Sequence, residues 1–292
     1  MKKRYPLVDV VIPVYKPEKE FRKLIERLLR QTCSIHNIII IQTQCKGYSV
    51  RELLSRLRDS DLEKIIIKDI KQSEFNHGLT RNKGMSLSSA EFVIMMTQDA
   101  IPADEYMVEN LLAPFEDEGV CVAYARQLPR KDCRLVERYV RSFNYPDRDM
   151  VKTKDTFETL GIKNIFCSDV CAAYRREEHI RLGGFQETDF NEDMIFAYGA
   201  IMAGKKVYYA SKAKVIHSHN YSYLQQFRRN IDIGRSQKKF KDIFGQLKSE
   251  NEGMKLLKSG ISYLIKQGKW YYIPDFIIGS GFKFVGYRIG KL

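Results

Sequence analysis

The sequence lacks the glycine-rich and cysteine-paired motifs that identify many enzymes and metal proteins. Its first apolar stretch runs into "VIPVYKPEKE", so no G-x-G-x-x-G turn of a dinucleotide-binding fold is present, and neither a G-x-x-x-x-G-K-[ST] loop nor a G-x-S-x-G elbow occurs. None of the six cysteines forms a C-x-x-C pair: Cys33, Cys45, Cys121, Cys133, Cys167 and Cys171. This spacing is typical of reduced, mostly buried thiols in a cytosolic protein, not of a disulfide framework or a zinc site.

The first residues do not have the pattern of a signal peptide. Lys2, Lys3 and Arg4 are basic, but the apolar run that follows them is interrupted by Asp9 and Pro13. A signal peptide needs a longer uninterrupted apolar region. The pattern therefore favours a first β-strand and a cytoplasmic protein.

The net charge of +13 is concentrated near the C-terminus. From Tyr221 to Leu292 the chain has fourteen Lys and Arg residues against five Asp and Glu residues. Such a region attracts anions, which include nucleic acid, acidic lipid head groups and phosphorylated substrates. No RNA-recognition, KH or helix-turn-helix signature accompanies the charge, so we do not expect nucleic acid to be the partner.

The last segment, "KWYYIPDFIIGSGFKFVGYRIGKL", places aromatic and aliphatic residues beside Lys and Arg. Proline and charged residues interrupt it, and a bilayer span needs about twenty apolar residues. We expect an amphipathic helix lying on an anionic membrane surface, which would make the protein peripheral at the inner face of the cell membrane. The alternative is a helix that packs on the main domain or forms a homodimer contact.

Apolar runs and amphipathic stretches alternate over the first two-thirds of the chain. "LVDVVIPVY", "NIIIIQTQ", "KIIIKDI" and "EFVIMMTQ" predict strands, and helical patterns separate them. Continuous Ile and Val runs indicate strands covered on both faces, as in a mostly parallel sheet flanked by helices. We expect this α/β domain over residues 1–220 and a basic, aromatic helical region over residues 221–292. Residues 127–164 show no clear period and predict an irregular excursion, and "KVYYASKAKVIHSH" predicts two short strands.

Two clusters of polar residues lie where predicted elements meet. "TQDA", with Gln98 and Asp99, ends an apolar strand, where open α/β sheets bind ligands, although Asp before Pro is also a common turn residue. "NHGLTRN" begins a helix with His77, Gly78 and Arg81. Such a start favours a diphosphate, and simple capping by Asn76 is the structural alternative.

Two further clusters carry acids and histidines. In "NEDM", Glu192 and Asp193 follow the predicted cap Asn191; one of them is a candidate base, although acids in a first turn are also favoured by the helix dipole alone. In "KVIHSHN", His217 and His219 project to the same side of a strand. With Asp99, diphosphate oxygens and water, they would suit Mg²⁺ or Mn²⁺.

In combination, these motifs resemble a family 2 glycosyltransferase with the GT-A fold. "VVIPVY" opens the chain, an acidic motif follows the fourth strand, "ED" precedes a helix, and histidines come late. More narrowly, "EFNHGLTRN", "TQDAIP", "NEDM" and "HSHNYS" are similar to bacterial rhamnosyltransferases of cell-surface polysaccharide synthesis. The similarity extends from about Val8 to Arg235.

The resemblance implies an inverting, single-displacement transfer. The donor would be dTDP-β-L-rhamnose, the acceptor a glycan or a polyprenyl-diphosphate-linked sugar, and the product an α-L-rhamnoside. Asp99 would bind Mg²⁺ or Mn²⁺ on the donor diphosphate, together with one or both of His217 and His219. Asp193 would be the catalytic base, with Glu192 in support.

The resemblance also implies a donor site. Pro13 and Tyr15 would line the nucleobase pocket, and Gln42 would reach the pyrimidine edge. The remaining donor-site candidates are the polar and small residues His77, Gly78, Arg81, Asn82, Gln98, Arg228 and Arg229.

Two positions depart from the family pattern. Thr97 occupies the first acidic position of the D-x-D motif, which predicts modest metal affinity or a partly dispensable metal. Gln42 stands where relatives commonly have an Asp, which weakens the assignment of the nucleotide. The alternatives are therefore a UDP-hexose donor, or a non-catalytic protein that binds a nucleotide sugar.

Overall fold

The structure is a computed structural model that describes residues 6–247 and 249–292. Lys2, Lys3 and Arg4 lie outside the described residues. Within those residues, nine strands form one sheet in the order β3-β2-β1-β4-β8-β6-β9-β5, and β7 pairs with β9. The strands are β1 (Val8–Tyr15), β2 (Asn37–Thr43), β3 (Ile65–Ile70), β4 (Phe92–Met96), β5 (Ile101–Pro102), β6 (Val120–Leu128), β7 (Met150–Lys152), β8 (Cys171–Arg175) and β9 (Lys206–Ile216).

The helices cover both faces of this sheet and continue beyond it at the C-terminus. They are α1 (Glu20–Leu28), α2 (Val50–Leu54), α3 (Asp59–Leu62), α4 (His77–Ser86), α5 (Met107–Leu112), α6 (Leu135–Asn144), α7 (Phe157–Leu160), α8 (Arg176–Arg181), α9 (Glu192–Met202), α10 (Tyr223–Lys239), α11 (Lys241–Phe244), α12 (Ser249–Lys266) and α13 (Ile273–Lys291).

Strand β1 shows why the apolar runs are continuous. Val10 and Ile12 belong to one core cluster, with the buried face of α1, whereas Val11 belongs to a second cluster on the other face of the sheet. Helix α4 packs on this second face. It lies so close to β1 that a Cβ atom on Gly84 would stand 2.2 Å from Val11 Cγ1. Strand β1 is thus buried on both sides, as the sequence predicted, whereas the edge strand β3 exposes Ile66.

The sheet is mixed, and its single central reversal positions the site. β1, β2, β3 and β4 pair in parallel, whereas β8 runs antiparallel to both of its neighbours, β4 and β6. β6 and β9 are again parallel. Consequently, the carboxyl ends of β4, β6 and β9 and the amino end of β8 lie at the same end of the sheet.

Two sequence predictions were wrong in detail. The two short strands predicted after Gly204 are one strand, β9, which stays paired with β6 across register shifts and so does not break. The excursion over residues 127–164 contains α6 and β7. Helix α6 was missed although Leu135, Val136, Tyr139, Val140 and Phe143 recur at helical spacing; its partner helix α12 comes more than a hundred residues later in the chain.

The C-terminal helices form a compact group. Helices α10 and α13 approach so closely that only glycine fits at three contact positions: Gly234, Gly286 and Gly290. A Cβ atom on Gly290, for example, would stand 2.1 Å from Ile231 O. Leu264 and Phe276 join α12 and α13 to α6 in a small third core. Across the described residues, no helix combines the length and apolarity needed to cross a bilayer. The division at residues 220 and 221 falls between β9 and α10 and stays a prediction.

Candidate active site

A cavity of about 610 Å³ opens where β4, β6 and β9 end and β8 begins. Asp99 follows β4, Gln127 lies near the end of β6, His217 follows β9, and Asp169 precedes β8. All four side chains line this cavity. Open α/β sheets bind ligands at this end of their strands, so the cavity is the candidate active site.

Asp99, His217 and His219 form a group with converging ligand atoms. Oδ2 of Asp99 lies 3.4 Å from Nε2 of His217 and 3.3 Å from Nε2 of His219, and the two Nε2 atoms are 3.1 Å apart. Neighbouring ligands of an octahedral ion at about 2.1 Å stand about 3 Å from each other, which matches these spacings. One carboxylate and two imidazoles suit Mn²⁺, and Mg²⁺ also fits if substrate oxygens and water complete its shell.

The electrostatics of this group favour its metal-binding forms. Burial alone would raise the pKa of Asp99, but the hydrogen bond and charge of His217 and the charge of His219 hold that pKa well below its usual range. Burial, with the neighbouring charge of His217, lowers the pKa of His219 to about 4. At neutral pH the carboxylate is therefore ionised and His219 is neutral, as metal ligation requires.

A second group of acids gathers around the buried guanidinium of Arg81. Its Nε lies 3.0 Å from Oδ2 of Asp169, and its Nη1 lies 3.0 Å from Oε1 of Glu192. These side chains are 4%, 2% and 8% exposed, respectively. Asp193 completes the group, and its Oδ2 accepts a hydrogen bond from the backbone N–H of Asp169 at 3.1 Å. One guanidinium thus faces three carboxyl groups.

This imbalance perturbs the acids strongly. Burial, with repulsion from Glu192 and Asp169, raises the pKa of Asp193 well above its usual range. Burial also raises the pKa of Asp169 to about 7, although Arg81 opposes the change. Perturbed acids in a cavity are characteristic of functional sites, and a carboxylate with a raised pKa is a stronger base.

The segment before α9 holds these acids in place. Asn191 adopts a left-handed conformation with φ of 65°, and its side chain makes no capping hydrogen bond, so the predicted side-chain cap is absent. Its Nδ2 is buried without a protein partner, and the residue lines the cavity. Strain of this kind occurs at functional sites.

The start of α4 contacts this segment. Asn76 Oδ1 accepts hydrogen bonds from Leu79 N at 3.1 Å and from Thr188 N at 3.2 Å, so capping by Asn76 is present. A Cβ atom on Gly78 would stand 2.0 Å from Gln186 O, and Asn82 hydrogen bonds to both backbone groups of Phe185. Gly78 and Asn82 pack against residues 185–188 and do not line the cavity, whereas His77 and Arg81 do.

Positive charge lines the cavity from two helices. Arg229 of α10 lies over the rings of Phe190 and Tyr221, 5.3 and 6.0 Å from their centroids. Arg141 of α6 donates to Gln127 Oε1 and, at 2.8 Å, to Glu137 Oε1. Arg228, the neighbour of Arg229, is exposed and does not line the cavity.

The predicted nucleobase residues lie outside this cavity, at the ends of β1 and β2. Gln98 and Tyr15 are joined reciprocally, since Gln98 Nε2 donates to Tyr15 O at 3.0 Å and Tyr15 N donates to Gln98 Oε1 at 2.9 Å. Pro13 is half-buried in the same strand as Tyr15. Gln42 is 7% exposed, and its amide bonds Val50 N at 2.7 Å and Asp69 Oδ1 at 2.9 Å.

Among the cavity residues that sequence reasoning missed, three take part in the hydrogen bonds and ion pairs of the site: Asp169, Gln127 and Arg141. Asp169 interrupts the apolar stretch "FCSDVCAAY", which is the same signal that identified Asp99. Gln127 is a polar residue at the end of a buried strand. Arg141 gave no usable signal, because it belongs to the segment that was predicted to be irregular.

Comparison with known sequences gives two consistent results. Residues 9–183 match the family model described as "Glycosyl transferase family 2". The chain is 36% identical over 289 residues to the O-antigen chain rhamnosyltransferase RfbN of Salmonella typhimurium, covering 97% of this chain and 89% of the relative. It is 35% identical over 292 residues to the O-antigen chain rhamnosyltransferase WbaN of Salmonella anatum, covering 98% and 90%.

Comparison with solved structures supports the architecture. The mannosyltransferase PcManGT from Pyrobaculum calidifontis, solved with GDP-Man and Mn²⁺, is similar with a TM-score of 0.61 and 13% identity, over 94% of this chain and 74% of that one. S. aureus TarS 1-349, solved with UDP-GlcNAc, gives 0.56 and 13%, over 98% and 90%. These likenesses show the fold, and the predicted α/β architecture is confirmed.

Proposed function

Because the chain belongs to glycosyl transferase family 2 and has the predicted GT-A fold, we propose that it is an inverting rhamnosyltransferase. The donor in this proposal is dTDP-β-L-rhamnose, and the product is an α-L-rhamnoside. The names of the two Salmonella relatives support the sugar and point to a growing O-antigen glycan as acceptor. The polyprenyl diphosphate carrier of that glycan is part of the proposal.

The observation that carries the proposal is that one cavity contains both a candidate metal group and a candidate base. Asp99, His217 and His219 supply ligand atoms from the loops after β4 and β9, and Asp193 lies at the start of α9. Sugar transfer needs both: a cation for the departing diphosphate and a base for the acceptor hydroxyl.

On the donor side, the three ligand residues would hold Mg²⁺ or Mn²⁺. When bound, the cation neutralises the negative charge that develops on the leaving diphosphate. The side chains of Arg141 and Arg229, which line the same cavity, add positive charge near this position. His77 stays neutral because burial lowers its pKa, and it is a hydrogen-bonding rather than a charged member of the wall.

On the acceptor side, Asp193 removes the proton from the attacking hydroxyl. Glu192 and Asp169 raise its proton affinity, and Arg81 keeps those two acids in place. Arg81 is a positioning residue in this scheme, because its Nε and Nη1 each lie 3.0 Å from a carboxylate oxygen and Nη1 also donates to His77 O. Attack from the face opposite the leaving diphosphate inverts the anomeric centre.

The nucleobase is assigned to the ends of β1 and β2, next to the loop that carries Asp99. Pro13 and Tyr15 supply the wall, and Gln98 joins Tyr15 to the Asp99 loop. Gln42 contributes indirectly, because its amide holds Val50 and Asp69. Gly78 and Asn82 contribute to the donor site indirectly, because they pack against residues 185–188. Arg228 contributes only its positive charge, since its side chain is exposed on α10.

The reaction is assigned to a membrane surface. Helix α13 exposes Ile277, Ile278, Phe282, Phe284, Val285 and Ile289, and Trp270 and Tyr271 precede it with 67% and 52% of their surface exposed. From Gly253 to Leu292 there are seven Lys and Arg residues, and Asp275 is the single acid. Exposed apolar and aromatic residues with flanking cations suit an anionic leaflet, where a polyprenyl-linked acceptor resides.

A donor panel tests the proposed sugar. Purified protein with Mn²⁺ and a lipid-linked or synthetic acceptor is incubated with dTDP-L-rhamnose, UDP-glucose, UDP-galactose and GDP-mannose, and the product linkage is determined. We expect transfer from dTDP-L-rhamnose with an α linkage. Transfer confined to a UDP-hexose would overturn the rhamnose assignment, and donor binding without transfer to any acceptor would favour a non-catalytic binder.

A further inference from the structure

Gln127 is a buried hydrogen-bonding centre between the candidate metal group and helix α6. It is 2% exposed, and its side-chain amide uses every hydrogen-bonding position it has. Oε1 accepts from Arg141 and lies 2.9 Å from His217 Nδ1. Nε2 donates to the Tyr145 hydroxyl at 2.6 Å and to Ser168 Oγ at 2.9 Å.

Arg141 fixes the orientation of this amide. A guanidinium only donates hydrogen bonds, so the amide atom that faces it must be the carbonyl oxygen. The same oxygen faces His217 Nδ1 and can only accept, so Nδ1 must carry a proton. When the ring is charged, Nε2 also carries a proton and donates it to Asp99; in the neutral ring that proton is gone, and Nε2 presents its free lone pair beside Asp99 and His219.

We propose that Gln127 is a positioning residue that selects the Nδ1–H tautomer of His217 and thereby presents its Nε2 to a divalent cation. Outer hydrogen-bond partners of this kind fix the tautomer and ring orientation of metal-binding histidines, and their loss typically costs 10–100-fold in metal affinity. The inference rests on the metal site of the proposed function. It adds a role for Arg141, which orients the amide that orients the histidine.

Substitutions at Gln127 separate positioning from general packing. In Gln127→Leu the partner of Nδ1 is lost, and we expect the affinity for Mn²⁺ alone to fall about 10–100-fold. In Gln127→Glu a carboxylate oxygen still accepts from Arg141 and His217, and the Tyr145 and Ser168 hydroxyls become donors. We expect this variant to bind Mn²⁺ at least as well as wild type. A purely structural role would make the buried acid at least as damaging as leucine.

Tyr145→Phe is the matched control. It removes a hydrogen bond at the Nε2 end of the Gln127 amide and leaves the contact with His217 in place. We therefore expect the affinity for Mn²⁺ to stay within about twofold of wild type, a much smaller change than the loss of about 10–100-fold expected for Gln127→Leu. Mn²⁺ binding is measured by the electron paramagnetic resonance signal of the free ion, and melting temperatures verify that each variant is folded. ¹⁵N NMR of the metal-free protein, recorded at a pH at which the His217 ring is neutral, reports its tautomer directly.

The outcomes distinguish this inference from the function it rests on. Wild-type affinity for Mn²⁺ in folded Gln127→Leu, or an Nε2–H tautomer in wild type, would overturn the role of Gln127. Absence of Mn²⁺ binding by wild type, with the Nδ1–H tautomer present and lost in Gln127→Leu, would refute the metal site but leave the tautomer assignment standing.

Discussion

The backbone N–H of Asp169 donates a hydrogen bond to Oδ2 of Asp193 at 3.1 Å, so the loop before β8 and the first turn of α9 form one acidic site. A backbone donor stabilises the ionised form of Asp193, whereas burial and the neighbouring acids oppose ionisation more strongly. The result is a carboxyl group that is held in one orientation and has a raised proton affinity. These are the two properties that a general base needs.

Replacement of Asp193 should abolish transfer while donor binding persists. Asp193→Asn keeps the size of the side chain but removes the base, so we expect kcat to fall by about 10²–10⁴-fold. The dissociation constant of dTDP, measured by calorimetry, should stay within about threefold of wild type, because the base contributes to the proton-transfer step rather than to donor binding.

Asp189→Asn provides the matched control, since Asp189 is another acid of the same segment and bonds Asn76 instead of the acidic group. This variant should keep most of the activity. An Asp193→Asn enzyme with a wild-type rate would remove Asp193 as the base.

The pH dependence of kcat/KM should respond to Asp169. Asp193 acts as a base only when ionised, and its pKa is raised, so activity should be lost as the pH falls through that raised value. Asp169→Asn removes one negative charge that opposes this ionisation. The acidic limb of the profile should therefore move to lower pH, by about one unit, which corresponds to ~1.4 kcal/mol.

Asp189→Asn should shift the acidic limb much less, because the main charges that act on Asp193 are those of Glu192 and Asp169. Asp169→Asn keeps the backbone N–H that bonds Asp193, so a limb that moves toward higher pH would contradict the charge effect of Asp169.

Arg81 should be more important for stability than any surface cation. Arg81→Met leaves the carboxyl groups of Asp169 and Glu192 buried without their counter-ion, and the loss of one partner of a buried pair costs about 3–5 kcal/mol. We expect the melting temperature at pH 7 to fall by roughly 5–15 °C. At pH 5 the fall should be smaller, because protonation of acids with raised pKa removes the uncompensated charge.

Lys83→Met tests the same change on the exposed side of α4. Lys83 lies 4.0 Å from Glu74 on the surface, and such pairs contribute about 0–1 kcal/mol. Its melting temperature should be close to that of wild type. Equal losses for the two variants would contradict a special role for the buried guanidinium.

The parts of the fold that follow from local pattern were predictable. Buried strands such as β1 and β2 have apolar residues at every position because both faces are covered, and α1 has a clear apolar face. The same reasoning made Asp99 and Asp193 candidates, because Asp99 ends an apolar strand and Asp193 precedes an apolar helix. The apolar spacing of α6 was also present in the sequence, but its partners Leu264 and Phe276 are far away in the chain and could not be predicted from local pattern.

The position of Asp169 in the site depends on the direction of strand β8. The acid Asp169 lies beside Asp193 only because β8 reverses, which brings its amino end to the carboxyl ends of β4 and β6. Apolar runs do not encode strand direction, so no local pattern grouped Asp169 with Asp99 or Arg81. The role of Gln127 could not be predicted either, because its hydrogen-bond partners lie on three separate segments of the chain.

Helix α13 should bind anionic membranes through the apolar side chains that it exposes. Ile278 and Phe284 are 48% and 54% exposed, and burial of such a side chain is worth about 1.5–3 kcal/mol. Ile278→Ser with Phe284→Ser should therefore lower binding to vesicles of phosphatidylglycerol and phosphatidylcholine at least tenfold in a sedimentation assay. Wild-type binding should weaken at high salt and be weaker to phosphatidylcholine alone, because the flanking cations contribute about 1 kcal/mol each near an anionic surface.

Leu87→Ser controls for the loss of surface apolarity, since Leu87 is 42% exposed next to α4 and distant in sequence from the C-terminal helices. This variant should bind vesicles as wild type does. If the α13 variant binds vesicles normally but converts a wild-type dimer into a monomer in sedimentation velocity, the face is a contact between copies of the chain. The membrane assignment then fails, because an apolar face that a second copy covers is not available to lipid.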